Sequence, residues 1–184
     1  MTRLGTRLMS TGLLLSAIGA NASSEAVDPP CLTVVDGRGK TAGALFDEVI
    51  TSDNGLIGAR VAVDVRGRIY TVTVNANGVT GGDEGIYFVS FETVDCSGSP
   101  FITIQSLNGS SLLPRTSVAS PSTTLYAQVP GELEHDVAFQ SVRRLGDEMC
   151  QPFPVTQTAV KAEAIIDLAT RFEPPLSVRS RCTP

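Results

Sequence analysis

The chain has 184 residues, a net charge of −5, four Cys, one His and no Trp, and 42% of its residues are hydrophobic. This length is typical of one domain, and the absence of a heptad or Gly-X-Y period excludes a long coiled coil and a collagen-like fibre. The acidic balance argues against binding of nucleic acid, which requires a clustered Lys and Arg surface to replace phosphate counterions.

The first 22 residues have the three-part layout of a secretory signal peptide. Arg3 and Arg7 precede the apolar run Leu8–Ile18, and this run leads to the small-residue cleavage pattern Ala20-Asn21-Ala22. Because about 11 apolar residues are too few to cross a bilayer as a helix, we predict a signal peptide helix that is cleaved between Ala22 and Ser23. We expect no membrane span in the mature chain, whose 12 Lys and Arg against 19 Asp and Glu give a net charge of −7.

The mature chain begins with a predicted leader and two β-prone segments. Residues 23–30 contain acidic residues and a Pro-Pro pair, which predicts a short extended leader. The first β-prone segment, 31–35, ends at the Gly-rich turn 36–39. The second, 42–50, ends in a polar loop. Turn signals then recur about every ten residues, which is typical of short antiparallel strands.

The clearest local prediction is a hairpin whose two-residue loop is Arg66-Gly67. Apolar and polar residues alternate on both sides of this loop. With a loop of two residues, Val63 faces Tyr70, Val61 faces Val72 and Ala59 faces Val74. Since a slip of one residue would place these apolar sets on opposite faces, their agreement predicts both the hairpin and its register.

Further short strands follow along the chain. The segment 86–94 has apolar side chains on both faces and is expected to be central in a sheet, with the turn Asp95–Gly98 connecting it to 101–104 as a second hairpin. The Gly- and acid-rich segment before residue 86 and the Ser- and Thr-rich segment 108–124 are predicted as loops, the latter with a short strand. The remaining strand predictions in this part are 125–129 and 137–143.

Residues 158–170 are compatible with helix by composition and with strand by pattern. Alternation of apolar and polar positions from Val160 to Leu168 favours a strand. The Pro-Pro break at 174–175 precedes a last strand at 176–178. Eight to ten short strands predict an all-β fold, a single antiparallel β-sandwich or barrel-like domain over residues 31–184.

All four Cys lie after the predicted cleavage site, which in an exported protein indicates two disulfides with three possible pairings. Because chain termini often lie close together, we favour Cys31–Cys182, which leaves Cys96–Cys150 as the second pair. A zinc site or a redox dithiol is disfavoured because the sequence has no C-x-x-C spacing.

Three segments together resemble a group of uncharacterised exported bacterial proteins. They are the turn Asp95-Cys96-Ser97-Gly98, the segment Cys150-Gln151-Pro152-Phe153 and a closing Phe172-x-Pro174-Pro175-Leu176-Ser177-Val178. The similarity covers most of the mature chain. It implies an all-β exported module in which Cys96 and Cys150 form the shared disulfide. It implies no catalytic residue, because turns, Cys and Pro determine a scaffold and not a chemistry.

The single histidine, His135, lies among carboxylates in the sequence Glu132-x-Glu134-His135-Asp136. Such neighbours could raise its pKa, share a metal with it or orient it as a general base. A Ser-His-Asp hydrolase would need a nucleophile elbow, and no G-x-S-x-G is present. Ser97 and Ser110 lie in ordinary turns. We therefore predict a solvated loop histidine and assign no catalytic residue.

Asp83 and Glu84 are the best candidates for metal ligands, because Ca²⁺ prefers carboxylates and nearby Gly residues let carbonyls turn inward. They lack EF-hand spacing, so we favour a flexible hairpin tip and expect neither metal nor cofactor. Glu92, Asp64 and Asp167 could in principle supply a glycosidase pair. The pair Arg143-Arg144 is expected at a solvated strand end.

The sequence thus favours a secreted or periplasmic, non-catalytic β-domain with a structural or binding role, whose partner is an unknown protein or glycan. The alternative is an extracytoplasmic hydrolase that acts on a sugar or ester through carboxylates and His135. A third hypothesis is a Ca²⁺-supported adhesion module that uses Asp83 and Glu84. Convergence of His135 with two carboxylates in a cleft would favour the hydrolase.

Overall fold

The computed structural model describes residues 32–50, 56–104 and 113–180, and in these residues it contains twelve β-strands and no α-helix. All strand pairings are antiparallel, so the predicted all-β fold is confirmed. The strands are β1 (Leu32–Val35), β2 (Thr41–Ile50), β3 (Leu56–Val65), β4 (Arg68–Asn75), β5 (Gly78–Gly81), β6 (Phe88–Phe91), β7 (Phe101–Thr103), β8 (Thr116–Ala119), β9 (Thr124–Gln128), β10 (His135–Arg144), β11 (Gln151–Asp167) and β12 (Ser177–Ser180).

The strands form two six-stranded sheets. The first sheet has the order β12-β1-β2-β3-β4-β5, and the second has the order β10-β6-β7-β11-β9-β8. The count exceeds the eight to ten strands that were expected. One reason is β5, which lies in a Gly-rich segment that sequence composition alone indicated as loop. Two 3₁₀ turns, Asp83–Gly85 and Leu168–Thr170, complete the regular structure of the described residues.

The second sheet closes on itself at one end. Strand β10 pairs with β6 on one edge and with β11 on the other, and β7 lies between β6 and β11. These four strands therefore form a ring, here called the closed ring, in which each strand has a partner on both sides. Closure of this kind removes the exposed edges that an open sheet would leave.

Strand β11 is 17 residues long and is paired along most of its length. Residues 151–159 pair with β10, and residues 162–167 pair with β9. Ala159 lies opposite His135 and Ala162 lies opposite Gln128, so β9 and β10 follow one another along β11. The prediction of a strand at 160–168 is confirmed to Asp167, because cross-strand pairing outweighs the weak helix propensity of its Ala, Glu and Lys residues.

The hairpin of β3 and β4 has the predicted register. Val63 pairs with Tyr70, Val61 with Val72 and Ala59 with Val74. At the loop, Arg66 has φ 57° and Gly67 has φ 80°. Left-handed values at both loop residues are the signature of a type I′ turn, whose twist matches that of the two strands. The local sequence thus determines this hairpin completely.

Strands β8 and β9 lie between the first sheet and the closed ring. Val118 and Leu125 belong to the apolar cluster that the inner face of the first sheet forms. Their chain neighbours Ala119 and Tyr126 belong to a second cluster, with residues of β6, β7 and β11. Because successive strand residues point to opposite faces, this hairpin contributes to both cores and joins the two halves of the fold.

The junction also contains buried polar contacts. Thr116 Oγ1 donates to the Thr71 carbonyl at 2.5 Å and accepts from the Asp83 backbone N–H at 2.7 Å. Thr73 Oγ1 donates to the Gly82 carbonyl at 2.8 Å. A Cβ on Gly82 would lie 2.4 Å from the Thr116 backbone, so only glycine fits at this close approach.

A disulfide joins Cys96 and Cys150, with 5.7 Å between their Cα atoms, and this pairing confirms the prediction. Ser141 supports the Cys96 turn, because its hydroxyl accepts from the Cys96 N–H at 3.1 Å and donates to the Thr93 carbonyl at 2.6 Å. Cys31 and Cys182 lie outside the described residues, so their pairing stays a prediction. The predicted signal peptide and the leader 23–30 also lie outside. Within residues 32–50, 56–104 and 113–180, no helix has the length and apolar character needed to span a membrane.

Candidate binding site

His135 is exposed at the first position of β10 and so lies at a strand end, not within the loop expected from the sequence. Its ring packs edge-on against Phe101, with 6.2 Å between ring centroids. Its Nδ1 lies 3.1 Å from the Leu133 carbonyl oxygen. These contacts hold the imidazole on the protein surface.

The carboxylates beside His135 have other partners. Glu134 forms an ion pair with Arg115 at 3.4 Å, and Asp136 accepts a hydrogen bond from the Thr158 hydroxyl at 2.8 Å. The part of the chain that the structure describes contains no group of three or more His, Cys, Asp or Glu side chains able to hold a metal ion. The arrangement therefore does not assemble a general base with an orienting acid at this position.

The other candidate carboxylates stabilise turns. Asp64 accepts from the Gly67 N–H at 2.8 Å, within the β3–β4 hairpin, and Asp167 accepts from the Ala169 N–H at 3.0 Å, at the start of a 3₁₀ turn. The Glu92 side chain is exposed. Each of the two hydrogen-bonded carboxylates thus satisfies the backbone of its own turn, as Asp commonly does.

Asp83 is buried and does not lie at a flexible hairpin tip, so that expectation is wrong. The 3₁₀ turn that contains it packs beside β4 and β8, and its carboxylate forms an ion pair with Arg60 at 3.4 Å. Nothing is described for the Glu84 side chain. A carboxylate that faces a guanidinium is a poor cation ligand, because the two positive charges would repel each other. In the described structure, Asp83 joins the first sheet to the second sheet.

Arg143 does not lie at a solvated strand end as expected. It is half-buried within β10 and lies over the ring of Phe91, with 5.7 Å from its guanidinium carbon to the ring centroid. Burial raises the pKa of the neighbouring Tyr126, and the positive charge of Arg143 opposes part of this rise. Arg144 is exposed. Ser97 is an exposed turn residue, and Ser110 lies outside the described residues.

A groove with a volume of about 320 Å³ lies where β1 and β12 meet the ends of β3 and β4. We call it the edge groove. Its apolar wall is formed by Val34, Ala59, Val74, Leu176 and Val178. Gly58, Asn75, Ala76 and Ser177 complete its described lining.

The chemistry of the edge groove is that of a binding surface. None of the described residues that line it is a His, Cys, Asp, Glu, Lys, Arg or Tyr, so these residues supply no group that could transfer a proton near neutral pH. Ser177 has no base among them to activate its hydroxyl. The groove can therefore bury an apolar group and offer a few polar contacts.

Strand β12 is the boundary of the edge groove and the last strand of its sheet. All four of its residues are exposed, and no described strand pairs with its outer edge. Val178 is 52% exposed although it pairs with Val34, which is 2% exposed. The apolar face of the sheet thus continues to an edge that can accept another strand.

Sequence reasoning predicted the last strand but not the edge groove. The alternation of Leu176, Ser177 and Val178 does not indicate which strand they join, and the lining residues come from four separate parts of the chain. Comparison of the chain with protein-family models, with curated proteins and with solved structures found no match. The assignment of a function therefore depends on the geometry described above.

Proposed function

We propose that this protein is an exported, non-catalytic binding module that captures an extended peptide segment of a partner protein along β12. The observation that carries this proposal is the position of an apolar groove, without ionisable groups among its described lining, directly beside a strand edge with which no described strand pairs. In this mode of recognition, main-chain hydrogen bonds give affinity and a pocket for alternate side chains gives specificity.

The compartment is inferred from two features. The basic residues, apolar run and Ala-x-Ala pattern at the N-terminus favour export by a signal peptide that ends at Ala22. The disulfide between Cys96 and Cys150 is compatible with an oxidising location. We propose the periplasm, the cell envelope or the extracellular space, with no nucleic acid partner because the mature chain is strongly acidic.

The size of the groove determines the affinity to expect. A volume of about 320 Å³ accommodates one large apolar side chain, whose burial contributes about 1.5–3 kcal/mol. Each added ladder hydrogen bond contributes about 1 kcal/mol. A peptide of four to six residues should therefore bind weakly, with a dissociation constant of roughly 10 μM to 1 mM.

The test is a screen of short extended peptides that carry one large apolar residue, followed by fluorescence anisotropy. Ala76 is exposed and lines the groove, so Ala76→Trp fills the groove without removing the backbone bond that Ala76 accepts from Leu176. The matched control is Ala138→Trp, at an exposed position of β10. We expect Ala76→Trp to weaken binding at least about tenfold and Ala138→Trp to leave it unchanged. Equal binding by both variants, or no peptide bound at about 1 mM, would overturn the proposal.

The hydrolase that uses carboxylates and His135 stays the second hypothesis. It ranks lower because His135 is exposed and the carboxylates on either side of it contact Arg115 and Thr158. Turnover of chromogenic sugars or esters that disappears in His135→Ala would reverse this order.

A further inference from the structure

A second cavity, of about 250 Å³, lies at the opposite end of the β3–β4 hairpin from the edge groove. We call it the arginine cavity. The hairpin tip contributes Arg66, Arg68 and Tyr70, and β11 contributes Glu163 from the other side. Val65 and Ile165 add apolar surface. We propose that this cavity binds a small hydroxylated carboxylate, such as a uronic acid.

The geometry of the hairpin places both arginines at the cavity. Arg68 pairs with Val65 across the type I′ turn, so its side chain lies on the same face as Val65 and Tyr70, towards the second sheet. Both guanidinium groups are exposed at this end of the sandwich. Neither forms an ion pair or a side-chain hydrogen bond with any residue that the structure describes. Their ten N–H donors are therefore available to a ligand.

Glu163 lies across the cavity without neutralising these arginines. It lines the same space as Arg66 and Arg68, yet none of the ion pairs found among the described residues includes it. Glu163 and the two arginines can therefore each contact a bound molecule in the cavity. With two positive charges and one negative charge, the cavity is locally positive on a chain whose net charge is −5.

Tyr70 adds a hydroxyl group to the cavity. The residue as a whole is 3% exposed, and its hydroxyl makes no hydrogen bond to the described residues. This hydroxyl is not among the buried polar atoms that lack a partner, so solvent reaches it. Because Tyr70 lines the arginine cavity, a hydroxylated ligand there can take the place of this solvent.

These groups together specify the class of ligand. Arginine pairs favour the planar carboxylate, which they bind with parallel charge-assisted hydrogen bonds. Glu163 accepts hydrogen bonds and the Tyr70 hydroxyl both donates and accepts, so they suit the hydroxyl groups of the same molecule. A simple anion would use only the arginines, and a neutral sugar would use only Glu163 and Tyr70.

The test is a calorimetric titration of the mature protein with glucuronate. Glucose, which lacks the carboxylate, and acetate, which lacks the hydroxyl groups, serve as comparison probes. We expect a millimolar dissociation constant for glucuronate and at least about tenfold weaker binding of glucose and of acetate. Glucuronate that binds no better than either probe, or no binding up to about 10 mM, would overturn the proposal. An oligosaccharide of the same acid that binds more tightly than glucuronate identifies a polymer unit as the ligand, and equal affinity identifies the free acid; both outcomes support the proposal.

Variants locate the binding. Arg68→Gln should weaken glucuronate binding about tenfold, and Tyr70→Phe should weaken it severalfold while it keeps the packing of the ring. Arg144→Gln, at an exposed arginine of β10 outside the cavity, is the matched control and should bind as the unaltered protein does. Binding that survives in Arg68→Gln would overturn the assignment to this cavity. Ala76→Trp should leave glucuronate binding unchanged, so this site and the peptide site are tested separately.

Discussion

Strands β6, β7, β10 and β11 close into a ring in which every strand has two partners, whereas the other sheet stops at β12 with an edge that no described strand covers. The ring is also cross-linked at one end, where Cys96 and Cys150 join the turn after β6 to the turn before β11. The edge of the first sheet instead carries exposed apolar residues, among them Leu32 and Val178.

This difference separates a region built for stability from one available for binding. In a closed ring each strand already has a neighbour on both sides, while an unpaired edge is a template for a further strand. The edge groove lies beside β12 at one end of the β3–β4 hairpin, and the arginine cavity lies at the other end, between the hairpin tip and β11. The five predictions below test this contrast.

The largest effect is expected in the closed ring. Phe139 is fully buried and packs against Phe101, with 5.8 Å between their ring centroids. Phe139→Ala should lower the free energy of unfolding by about 3–5 kcal/mol, because it removes apolar contacts and leaves a cavity. Urea denaturation measures this loss. Thr156→Ala, at an exposed position on β11, is the control and should stay within about 0.5 kcal/mol of the parent. A similar loss in both variants would contradict the prediction.

Removal of the ring disulfide should have the next largest effect. The double variant Cys96→Ser, Cys150→Ser frees a loop of 54 residues and should reduce the free energy of unfolding by about 2–4 kcal/mol. Denaturation of the oxidised proteins provides the measurement. An unchanged unfolding midpoint would mean that strand closure alone holds this end of the fold.

The predicted Cys31–Cys182 disulfide would cross-link the open side. Leu32 and Ser180, the nearest described residues, lie opposite each other in the β1–β12 pair. Peptide mapping without reduction should recover Cys31 linked to Cys182, and labelling of either residue by a thiol reagent would contradict this. Its removal should cost about 2 kcal/mol, the lower end of the usual range, because fraying of β12 leaves the other strands paired.

The hairpin between the two proposed sites should show a smaller effect. Gly67 has φ 80°, and a side chain in this left-handed conformation is strained. Gly67→Ala should therefore lower the free energy of unfolding by about 1 kcal/mol. Arg66→Asn provides the opposite test in the same turn, because asparagine is favoured at this position. It should raise the free energy of unfolding by a few tenths of a kcal/mol. Effects of the same sign in both variants would argue against the type I′ turn.

The smallest effect concerns a turn next to the open edge and depends on pH. Burial alone would raise the pKa of Asp36. Hydrogen bonds from the Lys40, Glu173 and Arg38 backbones, together with the Arg38 charge, outweigh this effect of burial. They hold the pKa of Asp36 below its ordinary value of 3.8. A lowered pKa in the folded state stabilises the protein above 3.8, and this contribution disappears as the pH falls through the folded-state pKa.

Asp36→Asn should therefore lower the melting temperature at pH 7, and the difference from the parent should shrink below pH 3.8. Thermal unfolding followed by circular dichroism at several pH values gives the comparison. Glu148→Gln, at an exposed carboxylate, is the control and should melt with the parent. A difference that grows towards low pH would contradict the proposed sign.

Sequence reasoning correctly predicted the features that neighbouring residues determine. The register of β3 and β4 followed from alternation on both sides of a two-residue loop, and the strand at 160–168 followed from its period of two. It failed for Asp83, because a Gly- and acid-rich segment is usually a solvated loop. The partners that bury Asp83, Arg60 and Thr116, lie 23 and 33 residues away in the chain.

The sequence by itself determined the all-β class and the hairpin register, because strand periodicity and turn chemistry act over a few residues. Only the tertiary structure decided that β10 closes a ring with β6 and β11, that no described strand pairs with the outer edge of β12, and that Arg68 and Glu163 line one cavity. Each of these depends on pairing between residues far apart in the chain. An alternating strand pattern fixes which face is apolar, but it does not fix which strand lies alongside.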